Sequence, residues 1–159
     1  TIANNGVIFA SDPDWKNRKG QLWRIETDGS SSLVETDMGT TNGVEISPDQ
    51  RRLYVNESAQ RRVWVYDLDK KLQASNKRLL IQFQDFGLDG MRTDTKGNLY
   101  IARYGKGVVA KVSSDGKLLK EYQLKGEFPT NVTFSQKDPT LLYVTMQKRG
   151  AVELIKLSK

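Results

Sequence analysis

The sequence predicts an all-β chain of the β-propeller class, about four blade repeats long. Three observations predict it. Short apolar-alternating segments fill the chain, turn residues separate them, and one aromatic position recurs at intervals of 45, 46 and 43 residues (Phe9, Tyr54, Tyr100, Tyr143). Strand alternation has period two, and a four-strand unit repeating every forty-odd residues is the length of a propeller blade.

The elements follow in order. "GVIFAS", "QLWRIE" and "SSLVET" form a first unit, residues 1–38, which begins partway through its first strand at "TIANN". "GVEIS", "RLYVNE", "RVWVYDL" and "LLIQF" form the second, 39–86. "GMRTD", "NLYIAR", "VVAKVS" and "KEYQL" form the third, 87–127, and "NVTFS", "LLYVTM" and "AVELIKL" the last, 128–159. Val, Ile, Tyr and Trp recur in them, as half-buried strands require. Asp28-Gly29, Pro48-Asp49, Lys96-Gly97-Asn98, Asp115-Gly116 and Asp138-Pro139 supply the turns. "DKKLQASNKRLL", the one segment with helical character, reads better as a long hairpin loop leading into a strand. Trp23 and Trp64 fall in matching third strands and are expected to pack between blades. Incomplete first and last units suggest part of a larger, six-bladed ring. An open ring exposes strand edges and an apolar blade face, so a missing N-terminal segment or a second chain is expected to close it.

Composition narrows the chemistry. The 159 residues contain no Cys and no His. Disulfides, thiolate catalysis, Ser-His-Asp and Cys-His mechanisms and every His- or Cys-based metal site are thereby excluded. Carboxylates, amides, hydroxyls, Lys, Arg or an oxygen-bound metal remain. The net charge is +6, from 25 basic and 19 acidic residues, with the basic ones in short turns such as "KNRKG" and "QKRG". No single-strand stacking platform accompanies them, so solubilising loops are expected rather than a nucleic-acid surface. No apolar run is long enough for a transmembrane helix, and no signal peptide is visible. The compartment is not legible.

One constellation stands out. Asn42 lies 12 residues before Tyr54, Asp89 lies 11 before Tyr100 and Asn131 lies 12 before Tyr143. Each falls where a blade's first strand begins. That strand lines the central channel of a propeller, so the three are expected to converge at its mouth. Two amides and a carboxylate suit a hard cation such as Ca²⁺. Asn-Gly and Asp-Gly are also ordinary turn dipeptides, and on spacing alone turn and ligand stand about even.

The segments "TNGVEISPDQRRLYVNES", "LDGMRTDTKGNLYIARYGKGVVAKVSSDGKLL", "FPTNVTFS" and "VIFASDPDW…GQLWRIETDG" together resemble the senescence-marker-protein, gluconolactonase and luciferin-regenerating-enzyme family, across essentially the whole chain. The resemblance implies a six-bladed propeller of about twice this length. It also implies one divalent cation at the channel mouth, held by a Glu, an Asn in an "NG" turn and an Asp in a "DGM" turn. Asn42 and Asp89 match the last two; the Glu and an upstream substrate-contacting Asn have no counterpart here. Asn131 matches a "PTN" turn of secondary role. The implied activity is opening of a sugar lactone or similar ester, the cation polarising the carbonyl and lowering the pKa of bound water, with Asp89 as ligand and proton acceptor. Ca²⁺ leads among the cations, with Mg²⁺, Mn²⁺ and Zn²⁺ as alternatives.

Loops between second and third strands open on the same face as the inner strand starts. Asp12, Trp15, Glu57, Arg103 and Tyr104 lie in them and are candidate substrate contacts, Asp12 and Arg103 foremost, since a basic side chain suits a sugar acid. "DLDKKLQASNK" lacks the Gly and Glu of a calcium loop, and "RYGKGVV" lacks P-loop spacing. Asn56-Glu-Ser and Asn131-Val-Thr fit the glycosylation pattern, the second facing the channel. A non-catalytic propeller that binds a protein or carbohydrate, and a fragment that keeps the fold without the activity, remain open alternatives.

Overall fold

A computed structural model describes residues 1–157 as fourteen strands in four antiparallel sheets. The first sheet holds β1 (Ile8–Asp12), β2 (Gly20–Ile25) and β3 (Ser31–Met38). The second holds β4 (Thr41–Ile46), β5 (Arg52–Glu57), β6 (Arg62–Leu68) and β7 (Ala74–Gln82). The third holds β8 (Met91–Thr93), β9 (Leu99–Arg103), β10 (Val108–Val112) and β11 (Leu118–Gln123). The fourth holds β12 (Pro129–Phe134), β13 (Leu141–Met146) and β14 (Ala151–Lys156). Each sheet is a meander whose strands pair in chain order, as hairpin-connected blades do. The inner strands lie side by side, β8 between β4 and β12, and β4 also lies against β1 and β12 against β9.

Every segment expected as a strand is one. The first blade has no full inner strand; Ile2 bridges Ile8, and Thr1 and Phe9 exchange backbone hydrogen bonds. Residues 69–73 form the turn of a hairpin, closed by Leu72 N–H on the Asp69 carbonyl, and β7 starts at Ala74. The strand is therefore longer than the apolar run "LLIQF" alone indicates.

The recurring aromatic faces the following blade. Phe9 and Leu22 pack on Leu53, Val55 and Tyr66 of the second blade. Tyr54, Val63 and Val65 pack on Met91, Ile101 and Val112 of the third. Tyr100 and Val109 pack on Leu142, Val144 and Ile155 of the fourth. Tyr143 occupies the same register position, yet it is 39% exposed, with Val152 and Leu154 exposed beside it. Among the described residues no fifth blade lies over them. Trp64 packs toward the first blade under Arg62 and Lys77, whereas its counterpart Trp23 lines a surface recess with Ala10 and Ile25. Both ends of the blade stack thus present apolar surface.

This layout makes equivalent aromatics energetically unequal. Tyr54→Ala is expected to cost about 3–5 kcal/mol in urea denaturation, the range for emptying a large buried site, and Tyr143→Ala about 1 kcal/mol or less. Equal costs would contradict the blade packing.

Candidate functional site

The three inner strand starts and β1 of the first blade surround a cavity of about 390 Å³ whose lining includes Ser11, Asn42, Gly43, Asp89, Arg92 and Asn131. The three residues picked from the sequence therefore do meet. The local structure that aims them is a β-bulge rather than a hairpin turn. Thr41 pairs with Glu57 and Val44 with Val55, so Asn42-Gly43 carries one residue more than the strand opposite. Asp89 N–H donates to the Ala102 carbonyl at 2.9 Å and Ala102 N–H donates to the Gly90 carbonyl at 3.0 Å, so both Asp89 and Gly90 oppose Ala102. Pro129 pairs with Met146 and Asn131 with Thr145, leaving Thr130 as the extra residue. A bulge bends its strand and re-aims a side chain, here toward the channel.

The glycine after each candidate ligand serves close approach between blades. A Cβ on Gly43 would lie 2.6 Å from both the Asn56 Nδ2 and the Asp89 carbonyl oxygen. A Cβ on Gly90 would overlap the Asn131 Oδ1 and lie 2.9 Å from the Thr130 carbonyl oxygen. Gly90 N–H instead donates to that Thr130 carbonyl at 2.8 Å. Only glycine lets the neighbouring bulge sit this near.

Asn56 holds two bulges together. Its side chain is fully buried; Oδ1 accepts from Gly43 N–H at 3.1 Å and Nδ2 donates to the Asp89 carbonyl at 2.6 Å. Sequence reasoning saw only a glycosylation pattern here. The usable signal was an amide at the end of "RLYVN", inside an otherwise buried strand. Ser11 ties in the first blade, its Oγ donating to the Asn42 carbonyl at 2.6 Å.

Asp89 is half-buried, and burial pushes its carboxyl pKa up to about 6. The groups that pull it back are neutral, the Gly90 N–H and the Asn42 amide. A carboxylate in this setting gains from a hard cation. Among the described residues, no three Asp, Glu, His or Cys side chains stand close enough to hold a metal. Asn42 and Asp89 offer an amide and a carboxylate oxygen, two of the six to eight donors Ca²⁺ takes. They fit as part of a cation site. Asn131 is exposed at the cavity edge, with its Oδ1 accepting from Val132 N–H at 2.9 Å.

The remaining candidates lie elsewhere. Arg103 is fully buried, stacked over Phe83 and paired with Asp85 at 2.8 Å and Glu121 at 3.5 Å. It ties β9 to the loop before β8 and to β11, and it does not line the cavity. Glu57 is also buried, accepting from Gly39 N–H at 2.8 Å and pairing with Arg62 at 2.8 Å. The Tyr104 hydroxyl donates to Gln147 at 2.6 Å on the same end of the blades, outside the cavity lining. Asp12 and Trp15 are exposed, and neither lines the cavity.

Two outcomes follow from this geometry. Asn56→Leu leaves the Gly43 N–H and the Asp89 carbonyl unpaired and is expected to cost about 3 kcal/mol in urea denaturation. Because the folded pKa of Asp89 lies above its ordinary value of 3.8, its stabilising contribution is complete below that pH and is lost as pH rises through about 6. Without added metal, Asp89→Asn is therefore expected to raise the melting temperature at pH 7.5 and to leave it nearly unchanged at pH 4. A lowered melting temperature at pH 7.5 would contradict the burial argument.

The chain is similar to known proteins over most of its length. The model of the SMP-30/gluconolactonase/LRE-like region matches residues 1–148. The pentonolactonase XacC of Haloferax volcanii is 33% identical over 143 residues, covering 88% of this chain and 49% of that protein. A luciferin-regenerating enzyme structure superposes with a TM-score of 0.85 at 26% identity, over 92% of this chain and 52% of that one. The calcium-binding protein regucalcin from Agrobacterium tumefaciens superposes with a TM-score of 0.82 at 23% identity, over 91% of this chain and 50% of that one. The chain spans about half the length of the curated relatives it matches.

Proposed function

The chain belongs to the SMP-30/gluconolactonase/LRE-like family, and on that premise we propose that it supplies the site of a metal-dependent hydrolase that opens a sugar lactone or similar ester. The observation that carries the reading is the convergence of Asn42 and Asp89, from adjacent blades, on one cavity. The pentonolactonase relative supports the lactone class, and the regucalcin neighbour, described as calcium-binding, supports a divalent cation with Ca²⁺ first.

In this reading the Asn42 side-chain oxygen and the Asp89 carboxylate hold the cation. When bound, it supplies positive charge that polarises the lactone carbonyl and acidifies water. The chain's own residues do the rest. Asp89 also takes the proton of the attacking water at its carboxylate. Water oxygen bonds to the carbonyl carbon, the ring C–O bond breaks, and the departing ring oxygen receives the proton from Asp89 as the hydroxy acid forms. Asn56 and Ser11 keep the two bulges in register, and Asn131 stands at the edge where a sugar hydroxyl would lie. The apolar ends around Tyr143 and Trp23 suit a further propeller segment or a second chain that closes the ring.

Calorimetric Ca²⁺ titration and a lactone-hydrolysis assay test the proposal together. Asn42→Ala and Asp89→Ala are each expected to weaken Ca²⁺ binding at least tenfold, and Asp89→Ala to cut hydrolysis by a factor of about 10² or more. Unchanged metal affinity and turnover in both variants would end the hydrolase reading.

A further inference from the structure

We propose that Arg92 makes the cavity selective for lactones that carry an anionic group at the end remote from the ring carbonyl. The inference rests on the lactonase reading and names its substrate class. Among the described residues, Asp89 is the one carboxylate, and Arg92 the one basic side chain, in the cavity lining. On a regular strand, residues three apart face opposite sides of the sheet. The bulge at Asp89-Gly90 resets that alternation, so both residues reach the same cavity. A regular extended strand would space their Cα atoms about 10 Å apart, and the bulge shortens that span. The cavity thus brings a guanidinium-bearing residue, three positions further along the strand, beside the proposed carbonyl-activating pair.

Arg92 is anchored without being sealed. Its Nη1 donates to Glu45 Oε2 at 3.3 Å and to the Met91 carbonyl at 3.0 Å, while its side chain remains 39% exposed. Among the described residues its hydrogen bonds all run through Nη1. A guanidinium carries five donors, so most of the fork is left for a ligand. Glu45 pairs with Arg92 through Oε2, and its other donors hold it in place, so it fixes the Nη1 side of the guanidinium and leaves the Nε and Nη2 side for a ligand. Oε1 accepts from the Thr93 N–H and hydroxyl, each at 3.1 Å, and Oε2 also accepts from the Thr1 hydroxyl at 3.2 Å. A carboxylate, sulfonate or phosphate oxygen meeting the free edge of Arg92 makes charge-assisted hydrogen bonds, the strong kind, in a geometry Arg suits. Arg103, the basic residue that sequence position favoured, is buried in ion pairs and leaves this role to Arg92.

The test compares a neutral six-carbon sugar lactone with the lactone bearing a terminal carboxylate, and their non-hydrolysable lactam analogues. Turnover is read as kcat/KM and lactam affinity by calorimetry. The wild-type chain is expected to favour the acidic member of each pair by about tenfold. Arg92→Met is expected to erase that preference with little change toward the neutral member, and Arg92→Lys to keep part of it. Equal affinity for both lactams in the wild type, or an undiminished preference in Arg92→Met, overturns the proposal. A fully retained preference in Arg92→Met would also show that Arg92 serves only to pin Glu45. Failure of the lactonase reading looks different: neither lactone is turned over in an Asp89-dependent way, whatever the lactams do.

Discussion

The site depends on one extra residue at the start of each inner strand. Each bulge bends its strand at that point, and Asn42, Asp89 and Asn131 from three blades line one cavity there. The bulges in turn require Gly43 and Gly90, since a side chain at either would strike the neighbouring blade. Asn56 then converts proximity into fixed geometry by bonding to the backbone of both bulges at once. Backbone irregularity, glycine and a buried amide act as one unit. That is how a rigid all-β frame can hold polar oxygens in a defined arrangement without histidine or cysteine.

The frame itself is held by faces that repeat. Each blade buries an aromatic or aliphatic set against the next, and three clusters run in series along the stack. Polar clamps reinforce them: Arg24 reaches from the first blade to the Lys71 and Leu72 carbonyls, and Glu45 reaches from the second to Thr93. Both clamps are largely buried, so each removal leaves unpaired partners in a poorly hydrated place. The inner strands gain rigidity from this, and precise placement of charge at Asp89 and Arg92 depends on it.

Much of this was legible in the sequence, for physical reasons that also mark where legibility ended. Period-two alternation and the recurring Phe9, Tyr54, Tyr100 and Tyr143 gave the strands, because one face of each must be apolar. The common offset from those aromatics located Asn42, Asp89 and Asn131. The Asn-Gly pair pointed to a turn, whereas the backbone forms a bulge; the dipeptide suits both, and only the pairing register separates them. Arg103 and Glu57 were misjudged as substrate contacts because their strand-end positions resemble loops, yet their ion pairs are folded inward. Asn56 and Arg92 were overlooked because their roles come from neighbouring blades, far away in sequence.

The central claim is that Asn42 and Asp89 form the oxygen-donor pair of a cation site. The most direct measurement is a pH titration of the Asp89 side-chain carboxyl by ¹³C NMR, with and without Ca²⁺, assigned by comparison with Asp89→Asn. Without Ca²⁺ the carboxyl is expected to titrate at about 6, and saturating Ca²⁺ is expected to move its midpoint below the ordinary carboxylate range. A midpoint that stays at the same pH when Ca²⁺ is added would contradict the account.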